Sequence, residues 1–291
     1  MKNKWYVELD AYIRSGEPDT AEKSRNWMAA IGLQQVDGLT VSDYLLDNAR
    51  EHIEGNISIT EVQQRISCYY NERSERAAIE KNNREADEVS SRITEILDEQ
   101  GFHFSAAEWF TIHKRLFDGI LDGAGNVRDY NITKNEWVLG GDTVIYTSHS
   151  SIMETLNYDF DGEKNFTYKD ISMSDAIRHI AKFTSDIWQI HPFCEGNTRA
   201  TAVFIIKYLK TLGFELSNEV FAENSWFFRN ALVRANYNNF SSGVYATTKY
   251  LEMFFRNFLM GKDNELKNRY MHVDYDDQNM VKEDSAIYIV Q

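Results

Sequence analysis

The chain has 291 residues, enough for one large domain or for a main domain with a small companion. Hydrophobic residues make up 43% of it and charged residues 26%, as in a globular protein. The net charge of -14 argues against a nucleic-acid partner, because duplex DNA attracts cationic surfaces. Two cysteines give no disulfide framework, and no apolar run has the length of a signal peptide or a membrane span. We therefore expect a cytoplasmic protein without a membrane partner.

The first part of the chain predicts a small helical unit. Only two prolines occur, Pro18 and Pro192, which favours a mostly α-helical protein. Residues 1 to about 22 are mixed and polar, with a turn at 16–19. Apolar residues then recur at helical spacing after Ser24, Ser42 and Ser58, which predicts three short helices within a unit at 1–75. Residues 76–88 are almost wholly polar and indicate a linker or a solvated helix.

Residues 89–265 predict a larger helical domain with one short β-hairpin. Helices are expected from Val89, from Ser105, and at roughly 151–160, 173–190, 198–212, 218–238 and 244–260. Between them, Trp137-Val138-Leu139 and Val144-Ile145-Tyr146-Thr147 flank Gly140-Gly141, which predicts two strands around a turn. Residues 266–291 are expected to form a C-terminal tail.

The segment HPFCEGNTR, residues 191–199, lies between two strongly apolar predicted helices. Gly196 permits close approach of a ligand to the backbone, and Asn197-Thr198 begins the second helix. Free N–H groups and the positive end of the helix dipole favour an anion there, and Arg199 adds a fixed positive charge. The segment therefore predicts a phosphate-binding site.

Two further residues of this segment have side chains suited to catalysis. The carboxylate of Glu195 suits a Mg²⁺ ion that bridges phosphates, and His191 can accept a proton from a hydroxyl group near neutral pH. The alternative is a simple interhelical turn with Phe193 as its apolar plug, but a turn does not need a base, a carboxylate and an arginine. His113 has no second ligand at metal spacing, so an ordinary packing role is expected for it.

The run HPFCEGNTRATA resembles the signature of the Fic family, and the similarity extends from about residue 89 to 262. This resemblance implies a mainly α Fic-type bundle that transfers AMP from ATP to a hydroxyl of a Tyr, Thr or Ser in a target protein or in itself. It implies His191 as the general base, Glu195 as the Mg²⁺ ligand, and a phosphate-binding group of Gly196, Asn197, Thr198 and Arg199. It also implies a target-docking flap at Val144, Ile145, Tyr146 and Thr147, and an adenine-side contact at Asn236, for which a helix C-cap is the alternative.

Two positions depart from the family signature. Thr198 stands where a Gly is usual, and Ala202 replaces a second Arg that holds the γ-phosphate in relatives. Because that cation is missing, a second hypothesis is a Fic enzyme that uses another donor and transfers UMP, phosphocholine or phosphate. A Fic-like binding protein with little turnover is a third hypothesis, against which the intact His191, Glu195 and Asn197 argue. Formation of a homo-oligomer is left open.

Residues 27–66 resemble the small antitoxin that pairs with some bacterial Fic toxins. In those proteins a Glu-Gly pair, preceded by Ser or Thr, contacts the second Arg and blocks the nucleotide site. Here Asp37-Gly38 would take that place, with Leu33 at the Ser/Thr position and Ala202 at the partner position. The resemblance therefore implies a regulatory role for Asp37 and Gly38 in which inhibition is weak. A purely structural helical cap is the alternative.

Overall fold

The computed structural model describes residues 4–71 and 78–275, with the side chains of 78–82 excluded. Within these ranges the chain is mainly helical, as predicted, with eleven α-helices and five short 3-10 turns. The helices are α1 (Lys4–Ser15), α2 (Pro18–Leu33), α3 (Asp43–Ile53), α4 (Ile59–Asn71), α5 (Ala78–Asp98), α6 (Ala106–Phe117), α7 (Ile152–Asn165), α8 (Met173–Ile190), α9 (Asn197–Thr211), α10 (Glu219–Ala235) and α11 (Lys249–Met260).

Helices α1 to α4 form an N-terminal unit with its own hydrophobic core. That core includes Leu9, Trp27, Leu45 and Ile66, all almost fully buried. The sequence predicted three helices here, and α1 was not expected. Because only Tyr6 and Leu9 of α1 are buried, the helix leaves little apolar periodicity in the sequence.

Helix α2 connects the N-terminal unit to the rest of the protein. All residues from 26 to 33 are buried, because Trp27, Met28 and Ile31 enter the N-terminal core while Ala29, Ala30 and Leu33 enter the main core. The helix packs closely on α10: a Cβ atom added to Gly32 would lie 2.4 Å from the Cα of Ala222. Ser225 on α10 also donates a hydrogen bond to the carbonyl of Gly32. This contact fixes where the turn after α2 lies over the main core.

Helix α5 begins inside the predicted polar segment 76–88 and continues to Asp98, so 78–88 is helical, while 76 and 77 lie outside the described residues. Its Asp87 is fully buried and accepts hydrogen bonds from the backbone and hydroxyl of Ser42, the N-cap of α3, and from Tyr70 of α4. Burial raises the pKa of Asp87 to about 6, although these hydrogen bonds act in the opposite direction. Asp87 thus ties α5 to the N-terminal unit.

Helix α9 is the centre of the main core. Its residues 197–209 are all buried, which is typical of a helix surrounded by other helices. Helices α5, α6 and α8 pack against it, and the core continues through α10 and α11. No helix in the described part of the chain combines the length and apolarity that crossing a membrane would require.

The predicted strand at 137–139 is wrong, because Trp137–Leu139 is a 3-10 turn. Val138 and Leu139 are both buried, whereas neighbouring side chains of a strand point to opposite faces. Gly140 and Gly141 both have positive φ and close the turn, in which Glu136 donates a backbone hydrogen bond to Asp142. Among the described residues the only β-pairing is an isolated bridge between Asn239 and Val244, so the hairpin is not confirmed.

Part of the predicted C-terminal tail packs on the main core. Residues Asn268–Met271 form a 3-10 turn, Met271 is buried in the main core, and Val273 donates a backbone hydrogen bond to Val138. Residues 276–291 lie outside the described residues.

The Gly32 contact gives a direct test of how the N-terminal unit is attached. We expect Gly32→Ala to lower the free energy of unfolding by about 1–3 kcal/mol, because the added methyl overlaps the α10 backbone. Gly162→Ala is the matched control: this helical glycine on α7 is exposed and has nothing near the added Cβ, so about 0.5–1 kcal/mol of stabilisation is expected. Urea unfolding measures the free energy of unfolding of both variants. Equal changes in the two variants would contradict the close packing of Gly32 on α10.

Candidate active site

The site begins where α8 ends, at a residue with strained backbone. His191 caps α8 in the left-handed region, with φ of 49°, which is uncommon for a residue with a side chain. Arg128, itself buried, stabilises this end by donating hydrogen bonds to the carbonyls of His191 (2.7 Å) and Ile190 (3.2 Å). It also donates to the carbonyls of Tyr130 and Thr147. One arginine thus fixes the helix end and the residues that flank it.

The imidazole of His191 is only 3% exposed and packs against the rings of Tyr146 and Trp188, at centroid distances of 4.4 and 5.2 Å. Its Nδ1 lies 3.3 Å from the carbonyl of Trp188, which assigns the ring proton to Nδ1. The Nε2 atom is buried and has no hydrogen-bond partner within the described structure. Burial lowers the pKa of His191 well below its usual range, and the charge of Lys134 acts in the same direction. The ring is therefore neutral, with its lone pair on Nε2.

The turn from His191 to α9 is held by Asn197 and Gly196. The Asn197 side chain accepts a hydrogen bond from the backbone N–H of Phe193 and donates one to its carbonyl, at 3.0 and 2.8 Å. Gly196 has φ of 72°, and a Cβ there would lie 2.4 Å from the ring of Phe117. Both the backbone conformation and the available space therefore require glycine. Phe193 is fully buried, so the predicted apolar plug is part of this turn as well.

The first turn of α9 carries the remaining predicted phosphate ligands. Thr198 accepts a hydrogen bond from the indole of Trp188 at 3.0 Å, so Trp188 contacts both His191 and the start of α9. The first N–H groups of a helix have no partner within it, and at the start of α9 they form the positive end of the helix dipole. The turn thus has the features of an anion site.

Arg199 is buried and interacts with three residues from the N-terminal unit and α5. It donates hydrogen bonds to Gln34 (3.1 Å) and Glu85 (2.8 Å). Asp37 Oδ2 lies 2.7 Å from Arg199 Nε as an ion pair, but out of line with the N–H, so Nε makes no regular hydrogen bond. The guanidinium also lies over the ring of Phe117, 4.7 Å from its centroid. Two carboxylates therefore share one guanidinium at this site.

The partner of Asp37 differs from the one expected from the sequence. Family resemblance pointed to position 202, which is a buried alanine, whereas the structure pairs Asp37 with Arg199. The 3-10 turn Gln34–Asp37 continues α2, and Gly38 ends it with φ of 69°. Because α2 is packed on α10, this turn lies directly over Arg199. The premise that Asp37 has lost its partner is therefore wrong.

Glu195 is the most exposed member of the site, with a side chain that is 60% accessible. Its Oε2 lies 3.1 Å from the ammonium of Lys134, whose side chain is 25% accessible. Within the described residues no cluster of three or more His, Cys, Asp or Glu side chains could hold a metal by itself. Mg²⁺ is commonly held by one or two carboxylates together with substrate phosphates, so a single accessible Glu195 fits that arrangement.

The predicted flap lies beside His191 without being a strand. Val144 and Tyr146 are buried and Ile145 is 84% exposed, which is the alternation of an extended segment. The side chain of Gln189 on α8 donates a hydrogen bond to the carbonyl of Ile145, and the backbone N–H of Thr147 donates to the carbonyl of Gln189. These contacts join the segment to the end of α8.

Asn236 is the C-cap of α10 and belongs to a separate set of contacts. Its amide nitrogen donates to the carbonyls of Leu232 and Ser185 and to the hydroxyl of Ser185. This is the helix C-cap that the sequence left open as an alternative, and it ties α10 to α8. A contact of Asn236 with a nucleotide stays a prediction.

Three residues at the site were not identified from the sequence. Arg128 and Lys134 lie in the irregular segment between α6 and α7, where no periodicity marks them. His113 was expected to be an ordinary packing residue, but its Nε2 lies 2.9 Å from the carbonyl of Glu195 and its Nδ1 accepts a hydrogen bond from the N–H of Gly125. It also stacks on Phe193. His113 therefore holds the backbone of Glu195 in place.

The titration of His113 should be visible in the stability of the protein. Burial lowers its pKa to about 4, whereas an unfolded histidine has a pKa of about 6.5. Between these values the unfolded chain binds more protons, so this residue reduces stability as pH falls from 7 to 5, by about 2 kcal/mol. Urea unfolding at both pH values should show that His113→Asn loses this part of the pH dependence.

The comparison must be made between variant and wild type, because Asp87, with its pKa raised to about 6, titrates with the opposite sign in the same range. His103→Asn is the control, since His103 is exposed. If His113→Asn and wild type lose the same stability between pH 7 and 5, the neutral, hydrogen-bonded His113 is contradicted.

Comparison with known proteins places these features in a family. Residues 103–209, which contain α6, α8 and the loop before α9, match the sequence model of the Fic/DOC family. Curated protein sequences gave no match to the chain. Among solved structures, a Fic family protein from Desulfovibrio desulfuricans G20 is 14% identical, with a TM-score of 0.51, covering 87% of this chain and 71% of that one.

Two Fic domains of VirB-translocated Bartonella effectors are also similar to this chain. The N-terminal domain of Bep8 from Bartonella sp. 1-1C is 19% identical, with a TM-score of 0.49, covering 64% of this chain and 88% of that one. The N-terminal domain from Bartonella sp. AR 15-3 is 20% identical, with a TM-score of 0.49, covering 62% and 83%. The resemblance predicted from HPFCEGNTRATA is confirmed: residues 103–209 match the Fic/DOC family, and the fold is similar to that of a Fic family protein.

Proposed function

We propose that this protein is an adenylyltransferase that moves AMP from ATP to a hydroxyl group of a target protein or of itself, in the cytoplasm. Fic domains transfer groups onto proteins, and the identity of the group is our inference. The observation that carries it is the Nε2 atom of His191, buried without a partner beside the start of α9. A buried polar atom without a hydrogen bond costs about 1–3 kcal/mol, and a ligand group that bonds to Nε2 would remove this cost.

His191 would act as the general base. Its Nδ1–H points to the carbonyl of Trp188, so the lone pair on Nε2 is available to the hydroxyl proton of the target. As the proton moves to Nε2, the hydroxyl oxygen bonds to the α-phosphorus of ATP. The bond from that phosphorus to the bridging oxygen breaks, and pyrophosphate leaves.

The start of α9 would stabilise the negative charge that develops at the phosphates. Its first N–H groups and the guanidinium of Arg199 supply positive charge held in fixed positions before the reaction begins. Glu195 would hold Mg²⁺, which neutralises phosphate charge when bound. Asn197 and His113 keep this loop in shape through the backbone of Phe193 and Glu195.

The target has to open the site before His191 can act, because the imidazole is 3% exposed under Tyr146. Tyr146 belongs to the extended segment Val144–Thr147, in which the neighbouring Ile145 is exposed. A target segment that pairs with this backbone would shift it and expose Nε2. The flap would thereby couple target binding to access to the base.

Labelled donors test the reaction. With Mg²⁺ and ATP labelled in the α-phosphate, we expect transfer to the protein or to lysate proteins, and a loss of at least about 100-fold in His191→Ala, because general bases contribute about 10²–10⁴ in rate. UTP, GTP and CDP-choline are tested in parallel, since the neutral Ala202 favours no particular donor. Label transferred from only one of these donors would show that the transferred group is not AMP. No transfer from any donor would contradict the proposal that the protein is a transferase.

We also propose that the N-terminal unit restrains this activity through Arg199. Asp37 and Glu85 place two negative charges on a guanidinium that the phosphates need, and Gln34 takes a further N–H group. A nucleotide must therefore displace carboxylates that repel it. Because two carboxylates share the guanidinium, removing Asp37 alone leaves Glu85 in place.

The restraint predicts unequal effects for single and double variants. Asp37→Asn should raise the transfer rate only a few-fold, and Asp37→Asn with Glu85→Gln should raise it by about tenfold or more, the change expected for a hydrogen bond to a charged group. Asp47→Asn is the control, since Asp47 is exposed and pairs with Arg50 instead. A double variant that is slower than wild type would show that the carboxylates position Arg199 for catalysis and do not inhibit it.

A further inference from the structure

The position of Lys134 carries an inference about how the donor is held, and it rests on the proposed function. Ala202 is fully buried and neutral, so the first two turns of α9 offer no cation besides Arg199 for the phosphate chain. Lys134 lies outside the signature, in the segment between α6 and the flap, and its ammonium is 3.1 Å from the carboxylate of Glu195. Within the described site it is thus the cation next to the carboxylate that would hold Mg²⁺.

We propose that Lys134 binds the diphosphate part of the donor and supplies the positive charge that Ala202 lacks. Its backbone is fixed at the flap, where Lys134 N–H donates to the hydroxyl of Thr143 at 3.2 Å. The side chain is three-quarters buried, so its ammonium is directed along the protein toward Glu195. The phosphates would thus lie between α9, with Arg199, and a lysine from the opposite side.

The Lys134–Glu195 pair is weak enough to be exchanged. Glu195 is 60% accessible, and ion pairs of such exposure contribute little to stability. A phosphate carries more charge than a carboxylate, and a lysine with a flexible stem moves to it without movement of the backbone. Glu195 is then released from the ammonium as the nucleotide enters.

The binding of nucleotides without turnover tests this inference. Calorimetry would compare α,β-methylene-ATP, which carries a non-cleavable diphosphate link, with AMP, which has no diphosphate. In Lys134→Met we expect the affinity for α,β-methylene-ATP to fall by about tenfold or more, while the affinity for AMP changes less than about twofold. Lys134→Arg should retain most of the affinity. Lys169→Met, a change of an exposed lysine on the loop after α7, is the matched control for net charge.

A double-mutant cycle without Mg²⁺ separates phosphate binding from a merely structural pair. In EDTA, Glu195→Gln should strengthen the binding of α,β-methylene-ATP, because it frees the ammonium, and this gain should shrink by at least about half in the Lys134→Met background. Equal affinities of Lys134→Met and wild type for α,β-methylene-ATP would overturn the proposed role of Lys134 and leave the proposed function intact. Failure of wild type to bind any nucleotide at millimolar concentration would overturn the proposed function and this inference together.

Discussion

The chain has to turn between two buried helices within six residues, and the structure of the site follows from that constraint. Helix α8 ends at Ile190 and α9 begins at Asn197, and neither can shift easily because α9 is enclosed by the main core and α8 packs one face into it. The carbonyl groups at the end of α8 and the N–H groups at the start of α9 therefore lie at the two ends of one short loop, without partners inside their own helices. Arg128 donates to the carbonyls of Ile190 and His191, and the N–H of Thr147 donates to the carbonyl of Gln189. The anion site that we propose at the start of α9 would be a consequence of this turn.

The same constraint places His191, the base that we propose, close to the start of α9. His191 stands at the position where α8 must end, in a left-handed conformation that costs about 1–2 kcal/mol for a residue with a side chain. The hydrogen bonds from Arg128 offset this cost, and Trp188 links the imidazole to Thr198. Strain of this kind is typical of functional sites, where the surrounding contacts hold a residue in place. Position and protonation of His191 are thus set by packing.

A second consequence concerns the N-terminal unit. Its helix α2 belongs to both hydrophobic cores, and the close contact of Gly32 with α10 fixes the turn that follows α2. Asp37 and Gln34 reach Arg199 from this turn, and Glu85 reaches it from α5. The restraint that we propose on Arg199 would depend on how tightly this unit is packed, so one interface would serve both as a structural cap and as a regulatory segment.

The sequence predicted the elements whose signals are local. The end of α8 and the start of α9 follow from Pro192 and Gly196. The phosphate site inferred from the residues of the loop stays a prediction. The sequence predicted a strand where Trp137–Leu139 forms a 3-10 turn. A short apolar run beside two glycines is compatible with a strand and with a turn, so the sequence does not distinguish them. The partners of Arg199 are 114 to 165 residues away, and no periodicity reports such pairs. The sequence did not identify Arg128, His113 and Lys134 as site residues for the same reason.

Both proposals depend on the start of α9 binding the diphosphate of a nucleotide next to a neutral His191. Amide and imidazole NMR of isotope-labelled protein, titrated with ADP and Mg²⁺, tests it most directly. We expect the largest amide shifts at residues 196–199, and a His191 ring whose proton is on Nδ1 near neutral pH. Shifts confined to other parts of the chain, or a His191 protonated on Nε2 or on both nitrogens before nucleotide is added, would contradict it.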